Sequence, residues 1–517
     1  MDAGIAGHVA TTGETLNIAN AYGDPRFNQE IDTKTGFKTK SILCMPIFNS
    51  HKVVIGVAQL LNKQDGVFSS QDEHLFDAFG VYCGLSLTAV GLYEDLQKAD
   101  AKNHVTMDVL SFHACASEED ATRMSKITVP TSNRFGLLSL EMDVKALSKE
   151  DTAVACLRMF ADMGFIHTFK IPYQSLCRWI LSVQNNYREV AYHNWHHAFN
   201  VTQAMYAILM KAELNQHLSP LERLGLIISC MCHDLDHRGT NNTFEGLKKS
   251  NLATLYGTST LERHHFDMCL LILSTEGNNI LVNLGVNDYR SIITIMENAI
   301  LATDISVYLK TRSTYHDLVA EHKFDWDNTD HRTLLCSMLM TSSDLSSILR
   351  PWEIQQRVAE TVYTEFHQQG DEEREMGHKP GELHDKNNAQ KLPKMQLGFI
   401  DFICKPIYVS LALQFPEIQE YVDALMTNRN HWDLMQKSGV YKMSVKGPPP
   451  TTVRKRATVA SSCSCNSAIL RLNLEESNDT LCPLVSALPE RMAGAPPTLP
   501  KRRITKMKTK PAICTIM

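Results

Sequence analysis

Residues 151–442 carry a nearly continuous series of amphipathic helical patterns, and this feature constrains the fold more than any other. Apolar residues recur there at spacings of three and four, as in Leu221, Leu224, Ile228 and Met231. Such spacing places the apolar side chains on one face of a helix. The range contains no alternating apolar and polar run long enough to build a sheet, and no internal repeats. The sequence therefore predicts a large all-helical domain.

Two histidine pairs inside this helical region indicate a metal site. His193 and His197 stand four positions apart, so on a helix they share one face. His233 and His237 repeat that spacing, and Asp234 directly follows the first of them. Neutral histidine nitrogens suit zinc, and a carboxylate can bridge to a second, harder ion. One such pair is common by chance, but two pairs with an adjacent aspartate favour a divalent-metal hydrolase.

Two aspartates in apolar surroundings extend this pattern. Asp304 follows the mostly apolar residues 300–303, and Asp344 closes a segment that begins with the apolar residues 338–340. An acidic group on an apolar helix face is costly unless it is paired or bound to a metal. Each aspartate taken singly is also compatible with a helix cap or a core ion pair. Together with the histidines, both favour the metal interpretation.

Composition narrows the setting of this domain. The chain has 517 residues, enough for two or more domains, and its formal net charge of −6 gives no indication of a nucleic-acid partner. Its 14 cysteines are scattered without repeated Cys-x-x-Cys pairs, which indicates reduced intracellular thiols. We expect a cytoplasmic protein with neither a signal peptide nor an apolar stretch long enough to span a bilayer.

The chain divides into four regions by composition and pattern. Residues 1–95 predict a mixed α/β domain, and residues 96–150 predict a helical connector. The all-helical domain is assigned to residues 151–445. Residues 446–517 are rich in Ser, Thr, Pro and basic side chains, so we expect a mostly disordered tail.

The motifs of the helical region together resemble those of the class I 3′,5′-cyclic-nucleotide phosphodiesterases. The resemblance covers residues 150–440 almost without gaps. The matching segments are residues 192–197 (YHNWHH), 232–242 (CHDLDHRGTNN), 261–266 (LERHHF), 301–304 (LATD), the segment ending at Asp344, and 395–399 (MQLGF). This resemblance implies a mainly α chain with an all-helical HD-type catalytic domain that hydrolyses cAMP and cGMP to 5′-monophosphates.

The resemblance also implies roles for individual residues. His197, His233, Asp234 and Asp344 are expected to ligate the tighter ion, which we expect to be Zn²⁺. Asp234 is expected to bridge to a second ion, Mg²⁺ or Mn²⁺, and His193 to donate a proton to the O3′ leaving group. The groups expected to hold metal-bound waters are His237, Glu262, His264 and Asp304, with helix-to-helix hydrogen bonding an equal alternative for Glu262.

The same resemblance assigns the substrate pocket. Gln396 matches the glutamine that reads the purine, and its amide can donate and accept, so it can pair with adenine or guanine. Phe399 and Val362 are expected to close the purine slot from its two sides, and Tyr192 to contribute to substrate binding. By residue type alone, Phe399 and Val362 are core residues. The preference between cAMP and cGMP is left open.

Residues 1–95 resemble the C-terminal part of a GAF domain, with strand candidates at 41–47 and 53–61. The matching residues are Asn62, Lys63, Phe68, Asp72 and Glu73. Binding of cGMP by this partial domain and a role as a dimerisation and packing remnant are both compatible with its length. Residues 101–113 and 176–183 make the type 11, dual-specificity class the most similar one. On this resemblance we expect a homodimer through the connector helix and the GAF segment.

The tail carries two candidate modification sites. Cys514 begins a C-a-a-X box that ends in Met517, and a terminal Met favours farnesyl. The basic residues from Lys501 to Lys510 supply a second signal for an anionic membrane, so we expect association with the cytoplasmic face of a membrane. Thr458 follows a basic run typical of a kinase site, and added positive charge for the membrane is the alternative interpretation of that run.

Three other functions are compatible with part of the sequence. The first is a cGMP-preferring phosphodiesterase of a neighbouring class. The second is an HD-type phosphohydrolase that acts on other nucleotides, although Gln396 and Phe399 argue against it. The third is a membrane-tethered, non-catalytic regulator, against which the intact His193 and metal ligands argue.

Overall fold

The computed structural model describes residues 4–439, 441 and 512–513. The chain divides into two compact units by its internal contacts. One contains the described residues up to Asp100 together with 512–513, and the other begins at Ala101. The described residues are mainly helical, with a small sheet in the first unit, so the predicted fold class is confirmed.

The first unit is built on a small sheet of β1 (Leu16–Ile18), β2 (Ile42–Phe48), β3 (Val54–Leu61) and β4 (Ala512–Ile513), which lie in this order. Strand β1 pairs antiparallel with β2, β2 pairs antiparallel with β3, and β4 pairs parallel with β3. Both strand candidates are confirmed. The helices of this unit are α1 (Gly4–Thr12), α2 (Gln29–Thr35) and the start of α3 (Ser70–Phe112), with a 3₁₀ turn at Ala21–Gly23.

Alternation along β2 explains how this sheet is covered on both faces. Ile42 and Cys44 belong to one buried apolar cluster together with Val9 of α1. Leu43 and Met45 belong to a second cluster, which also contains Phe76 of α3. Because successive side chains of a strand point to opposite faces, the near-continuous apolar run of β2 is the pattern of a strand buried on both sides.

The second unit is helical throughout its described residues. A single large apolar cluster forms its core, with Phe160, Trp179 and Phe199 among the fully buried side chains. Its helices are the end of α3, α4 (Glu118–Ser125), α5 (Ser132–Phe135), α6 (Lys149–Asp162), α7 (Phe165–Thr168), α8 (Tyr173–Asn185), α9 (Trp195–Lys211), α10 (Pro220–Cys232), α11 (Asn242–Leu247), α12 (Asn251–Tyr256), α13 (Thr260–Ser274), α14 (Val286–Leu301), α15 (Ile305–Ala320), α16 (Thr329–Asp344), α17 (Trp352–Glu375), α18 (Leu392–Phe399), α19 (Lys405–Gln414) and α20 (Gln419–Ser438). Short 3₁₀ turns lie at Val144–Ala146, Leu214–Gln216, Leu345–Leu349, Lys386–Lys391 and Pro416–Ile418, and a π-helical turn at Ile400–Cys404 joins α18 to α19.

Local sequence explains where the helices that position the site begin. Ser219 and Glu222 form a reciprocal capping box at the start of α10, and Pro220 occupies its first turn. Asn194 caps α9, because its side chain accepts the N–H of His196. These caps fix the first turn of α9, which carries His197, and of α10, which leads into the turn of His233 and Asp234. Because His193 precedes α9 and both His233 and His237 follow α10, the expectation that each histidine pair shares one helix face is wrong.

The expectation that no segment is long and apolar enough to span a bilayer is wrong by length and composition. The helix Ser70–Phe112 has 43 residues and contains a window of mean hydropathy 1.5, of which 17% is buried. The stretch Lys386–Gln414 is also long and apolar enough, although 56% of its most apolar part is buried. The bent pair Val286–Leu301 and Ile305–Ala320 is long and apolar enough if it is taken as one span.

Candidate active site

Two histidines and two aspartates converge on one buried point. The Nε2 atoms of His197 and His233 are 3.1 Å apart. Asp344 Oδ1 lies 3.0 and 3.3 Å from these two nitrogens, and Asp234 Oδ2 lies 3.4 and 3.2 Å from them. His197 comes from α9, His233 and Asp234 from the turn after α10, and Asp344 from the last residue of α16. Three separate parts of the chain therefore deliver the four predicted ligands.

The spacing of these donors fits a divalent ion. Ligands held about 2.1 Å from one ion are separated by roughly 3.0 Å at right angles and roughly 3.4 Å at the tetrahedral angle. The five separations above span the same interval, from 3.0 to 3.4 Å. His233 donates its Nδ1–H to the carbonyl oxygen of Cys230 at 2.9 Å, which leaves the Nε2 lone pair free for a metal.

Electrostatics at this point favour a bound cation. Burial alone would lower the pKa of His233, yet the carboxylates of Asp234 and Asp344 raise it well above the ordinary value. The pKa of Asp234 is held well below its usual range, although burial opposes this, because His233 and His197 lie beside it. The cluster thus stabilises positive charge between its carboxylates, as a metal centre requires.

His193 lies next to this cluster and is fixed by an acid that the sequence did not reveal. Its Nδ1 is hydrogen bonded to Glu365 Oε1, and Glu365 Oε2 accepts the backbone N–H groups of Tyr192 and His193 at 2.7 and 3.2 Å. Burial would lower the pKa of His193, but the charge of Glu365 raises it to about 9. Burial would raise the pKa of Glu365, but the charge of His193 and the hydrogen bond to it lower that pKa to about 2.

A second group of ligand atoms adjoins the first. Single ligand atoms of Asp234, His237 and His265 all lie within 4.8 Å of one another. His237 Nδ1 accepts the N–H of Gly239 at 3.0 Å, so its neutral ring carries the proton on Nε2. Burial and the neighbouring His193 lower the pKa of His237 to about 4, which keeps this ring neutral. Such a ring can donate a hydrogen bond to a metal-bound water.

His265, rather than the predicted His264, faces the metal cluster. His265 Nδ1 donates to the carbonyl oxygen of Leu235 at 2.6 Å, and its Nε2 lies 3.7 Å from Asp234 Oδ1. His264 Nε2 instead donates to Asp236 Oδ2 at 2.8 Å. Neighbouring residues on α13 point about 100° apart, so only one of the two histidines can face the cluster.

Glu262 and Asp304 lie close to each other but play different parts. Glu262 accepts the side-chain amide of Asn242 at 3.2 and 2.9 Å, and burial raises its pKa to about 7, with Asp304 adding to the effect. Asp304 caps α15 by accepting the N–H of Ser306 at 2.8 Å, and it also accepts the hydroxyl of Ser259 at 2.7 Å. The cap considered as the alternative for Asp304 is therefore present.

The predicted substrate residues lie on α17, α18 and the segment before α9. Gln396 is 6% exposed. The Tyr363 hydroxyl is hydrogen bonded to it, and its Oε1 has no hydrogen-bond partner among the described residues. Val362 precedes Tyr363 on α17, and Phe399 ends α18. The ring of Tyr192 packs against those of His193 and His197, with centroids 4.8 and 4.6 Å apart.

Sequence analysis did not identify three residues of the site, which are Glu365, His265 and Tyr363. Their common signal was weak, because each is a polar residue on a helix with several other polar residues. The tail sites Cys514 and Thr458 lie outside the described residues, so farnesylation and phosphorylation stay predictions. Cyclic-nucleotide binding by the GAF segment also stays a prediction.

An all-helical domain whose buried histidines and aspartates can hold a divalent metal is the arrangement that a metal-dependent hydrolase needs. The family model of the 3′5′-cyclic nucleotide phosphodiesterases matches residues 192–425. The GAF domain model matches residues 1–87. The chain therefore carries a 3′5′-cyclic nucleotide phosphodiesterase domain with a GAF segment ahead of it.

Two relatives are similar to this chain over most of its length. The chain is 46% identical over 434 residues to the dual 3′,5′-cyclic-AMP and -GMP phosphodiesterase 11 of Drosophila melanogaster, and the matched region covers 84% of this chain and 30% of that protein. It is 45% identical over 437 residues to the cGMP-specific 3′,5′-cyclic phosphodiesterase of Drosophila pseudoobscura pseudoobscura, and here the matched region covers 84% of this chain and 39% of that protein. The chain thus spans between 30% and 39% of the length of these relatives.

Proposed function

We propose that this chain hydrolyses the 3′,5′-cyclic nucleotides cAMP and cGMP to their 5′-monophosphates. The observation that carries the proposal is the convergence of His197, His233, Asp234 and Asp344 beside the ion-paired His193. The names of the relatives, one dual and one cGMP-specific, support cyclic nucleotides as the substrate class. Steady-state hydrolysis of both nucleotides by the purified chain, with and without a chelator, tests it. Absence of turnover with metal present would contradict it.

The residues of the cluster would hold two divalent ions, which we propose to be Zn²⁺ and either Mg²⁺ or Mn²⁺. When bound, these ions would neutralise the phosphate and lower the pKa of a water at neutral pH. His197, His233 and Asp344 would hold one ion, and Asp234 would serve both, because its two oxygens face different histidines. Its Oδ2 faces His233, and its Oδ1 faces His265. His237 and His265 would orient waters around the second ion.

His193 supplies the proton that the leaving group needs. A water that has lost a proton to solvent attacks phosphorus, so that a new P–O bond forms and the P–O3′ bond breaks. The departing O3′ takes a proton from Nε2 of His193, and the ring regains a proton from solvent. Glu365 occupies Nδ1 of this ring, so Nε2 is the nitrogen left for substrate. Because the carboxylate raises the pKa of His193 to about 9 against the effect of burial, the ring carries that proton at neutral pH.

Gln396→Ala is expected to raise KM for cAMP and cGMP by roughly 10–100-fold with little change in kcat. The reason is that a buried amide that pairs with the base edge binds ground state and transition state alike. Steady-state kinetics of the purified variant measure this. Gln419→Ala, a surface change beside Asp423 on α20, is the matched control. An unchanged KM for both nucleotides would remove Gln396 from the substrate pocket.

We also propose that the chain forms a homodimer through α3. Leu75, Tyr82, Leu85, Leu92 and Leu96 are all more than half exposed on this helix. Their positions differ by three, four or seven residues, which is the heptad spacing of a two-stranded coiled coil. An exposed apolar stripe of this kind indicates a protein–protein contact, and a second copy of the chain supplies a matching stripe.

The double variant Leu85→Glu with Leu92→Glu is therefore expected to be monomeric, because like charges at facing positions oppose pairing. Sedimentation equilibrium of the purified protein measures the change. Glu94→Gln, on the same helix and outside the stripe, should stay dimeric. A dimeric double variant, or a monomeric parent chain, would show that α3 does not hold two copies together.

A further inference from the structure

A buried carboxylate next to the metal ligands anchors a network that reaches the connector. Asp236 lies two residues after Asp234, and its side chain is fully buried. Asp236 Oδ1 accepts Arg188 Nε at 2.6 Å, and Oδ2 accepts His264 Nε2 at 2.8 Å. Nη2 of Arg238 lies 3.4 Å from the same Oδ2. A buried anion needs such partners, since removing one leaves charge uncompensated.

The backbone at this point also depends on its neighbours. Asp236 has φ +63°, a left-handed conformation that a residue with a Cβ seldom adopts. Its N–H donates to the carbonyl oxygen of Asn186 at 3.1 Å. The turn that presents Asp234 and His237 is thus held by contacts from outside the turn.

Two of these contacts lead to the last turns of α3. Asp108 Oδ2 pairs with Arg238 Nη1 at 3.0 Å, so Arg238 bridges Asp108 and Asp236. The guanidinium of Arg188 lies over the ring of Phe112, 4.3 Å from its centroid. Each arginine therefore contacts the connector on one side and the buried carboxylate on the other.

A third contact runs through a buried amide. Asn186 is 0% exposed. Its side chain accepts the N–H of Ala114 at 3.3 Å and donates to the carbonyl oxygen of Ala114 at 2.9 Å, while its own carbonyl accepts from Asp236. Three independent contacts therefore join residues 108–114 to one residue of the metal-binding turn.

We propose that Asp236 is a positioning residue through which connector residues 108–114 set the geometry of the metal-binding turn. This inference rests on the proposed metal centre. Neither Asp108 nor Phe112 touches a metal ligand, so both act through the arginines. Loss of either contact leaves one guanidinium free to move away from Asp236. The negative charge of Asp236 is then less well compensated, and the turn that carries Asp234 can relax. The expected consequence is weaker binding of the divalent ions.

Equilibrium dialysis of the full chain with Mn²⁺ alone tests this inference. Asp236→Asn should weaken Mn²⁺ binding by roughly 10–100-fold, as expected when a group that supports a metal ligand is lost. Asp108→Asn and Phe112→Ala should each weaken it by about 3–10-fold. Glu94→Gln, an acid-to-amide change on an exposed part of α3, should bind Mn²⁺ as the parent does.

A kinetic readout separates positioning from general damage. In Asp108→Asn, kcat should fall at low Mn²⁺ and recover at saturating Mn²⁺, with KM for the nucleotide unchanged. The inference would be overturned if Asp108→Asn and Phe112→Ala bound Mn²⁺ as tightly as Glu94→Gln does. These two variants decide the matter even if Asp236→Asn does not fold. A parent chain that binds Mn²⁺ without hydrolysing cyclic nucleotides would overturn the proposed function alone. A parent chain that does not bind Mn²⁺ would overturn both.

Discussion

Replacement of His193 by alanine is expected to lower kcat for both cyclic nucleotides by roughly 10²–10⁴-fold, the usual contribution of a positioned general acid. KM should change little, because the ring acts on the leaving oxygen rather than on binding. Steady-state hydrolysis by the purified variant measures both constants. The control is His196→Ala, since His196 lies three residues away on the same segment and the pKa of its ring is lowered by burial. Activity of His193→Ala equal to that of the control would remove His193 from the mechanism.

The partner of His193 provides a test that depends on pH. Burial lowers the pKa of His193, and the charge of Glu365 more than reverses this and raises it to about 9. Since an acid works only while protonated, the activity that depends on it is lost as pH rises through that pKa. In Glu365→Gln, burial still lowers the pKa of His193, but the carboxylate charge that raised it is gone. The ring therefore loses its proton at a lower pH.

The basic limb of the kcat profile in Glu365→Gln should therefore move to lower pH by roughly 1–3 units, the usual effect of one adjacent charge. Bound cations would lower the pKa of His193 in parent and variant alike, so the difference between the two profiles is the quantity to measure. Gln369→Ala, on the same helix and hydrogen bonded to Glu373, serves as the control. A basic limb that does not move would show that Glu365 does not tune this ring.

The sequence predicted what depends on local pattern. Helical periodicity found the all-helical domain, and β-branched runs found the strands now seen at Ile42–Phe48 and Val54–Leu61. The His and Asp motifs indicated a metal site by their spacing, and the four proposed ligands were chosen within them by resemblance to the cyclic-nucleotide phosphodiesterases. Each of these inferences needs only residues that are close in the sequence or a motif that is already known.

What the sequence could not supply depends on how helices meet. Glu365 lies 172 residues from its partner His193, and periodicity identifies the buried face of α17 without saying which helix that face meets. The choice between His264 and His265 depends on the rotation of α13 about its axis. For Asp304, burial cost alone did not separate a metal ligand from a helix cap, and the contacts show the cap.

The largest effect is expected at Asp344. Its Oδ1 faces Nε2 of both His197 and His233, at 3.0 and 3.3 Å, and it is the last residue of α16. Asp344→Asn keeps the volume of the side chain and removes its charge. Two imidazoles and Asp234 then remain to hold the ion, and an ion held by fewer charges binds more weakly.

Asp344→Asn is accordingly expected to purify with little tightly bound metal and to lose about 10³-fold or more of kcat, since a metal supplies several kcal/mol of transition-state stabilisation. Metal content by atomic emission and turnover at saturating Mn²⁺ measure the two losses separately. Asp433→Asn changes an acid that pairs with Lys437 at the surface, and it should retain both metal and activity. Asp304→Asn should behave almost like this control, because asparagine also caps helices well. If Asp344→Asn kept both its metal and its turnover, the cluster described here would not be the centre at which the nucleotide is hydrolysed.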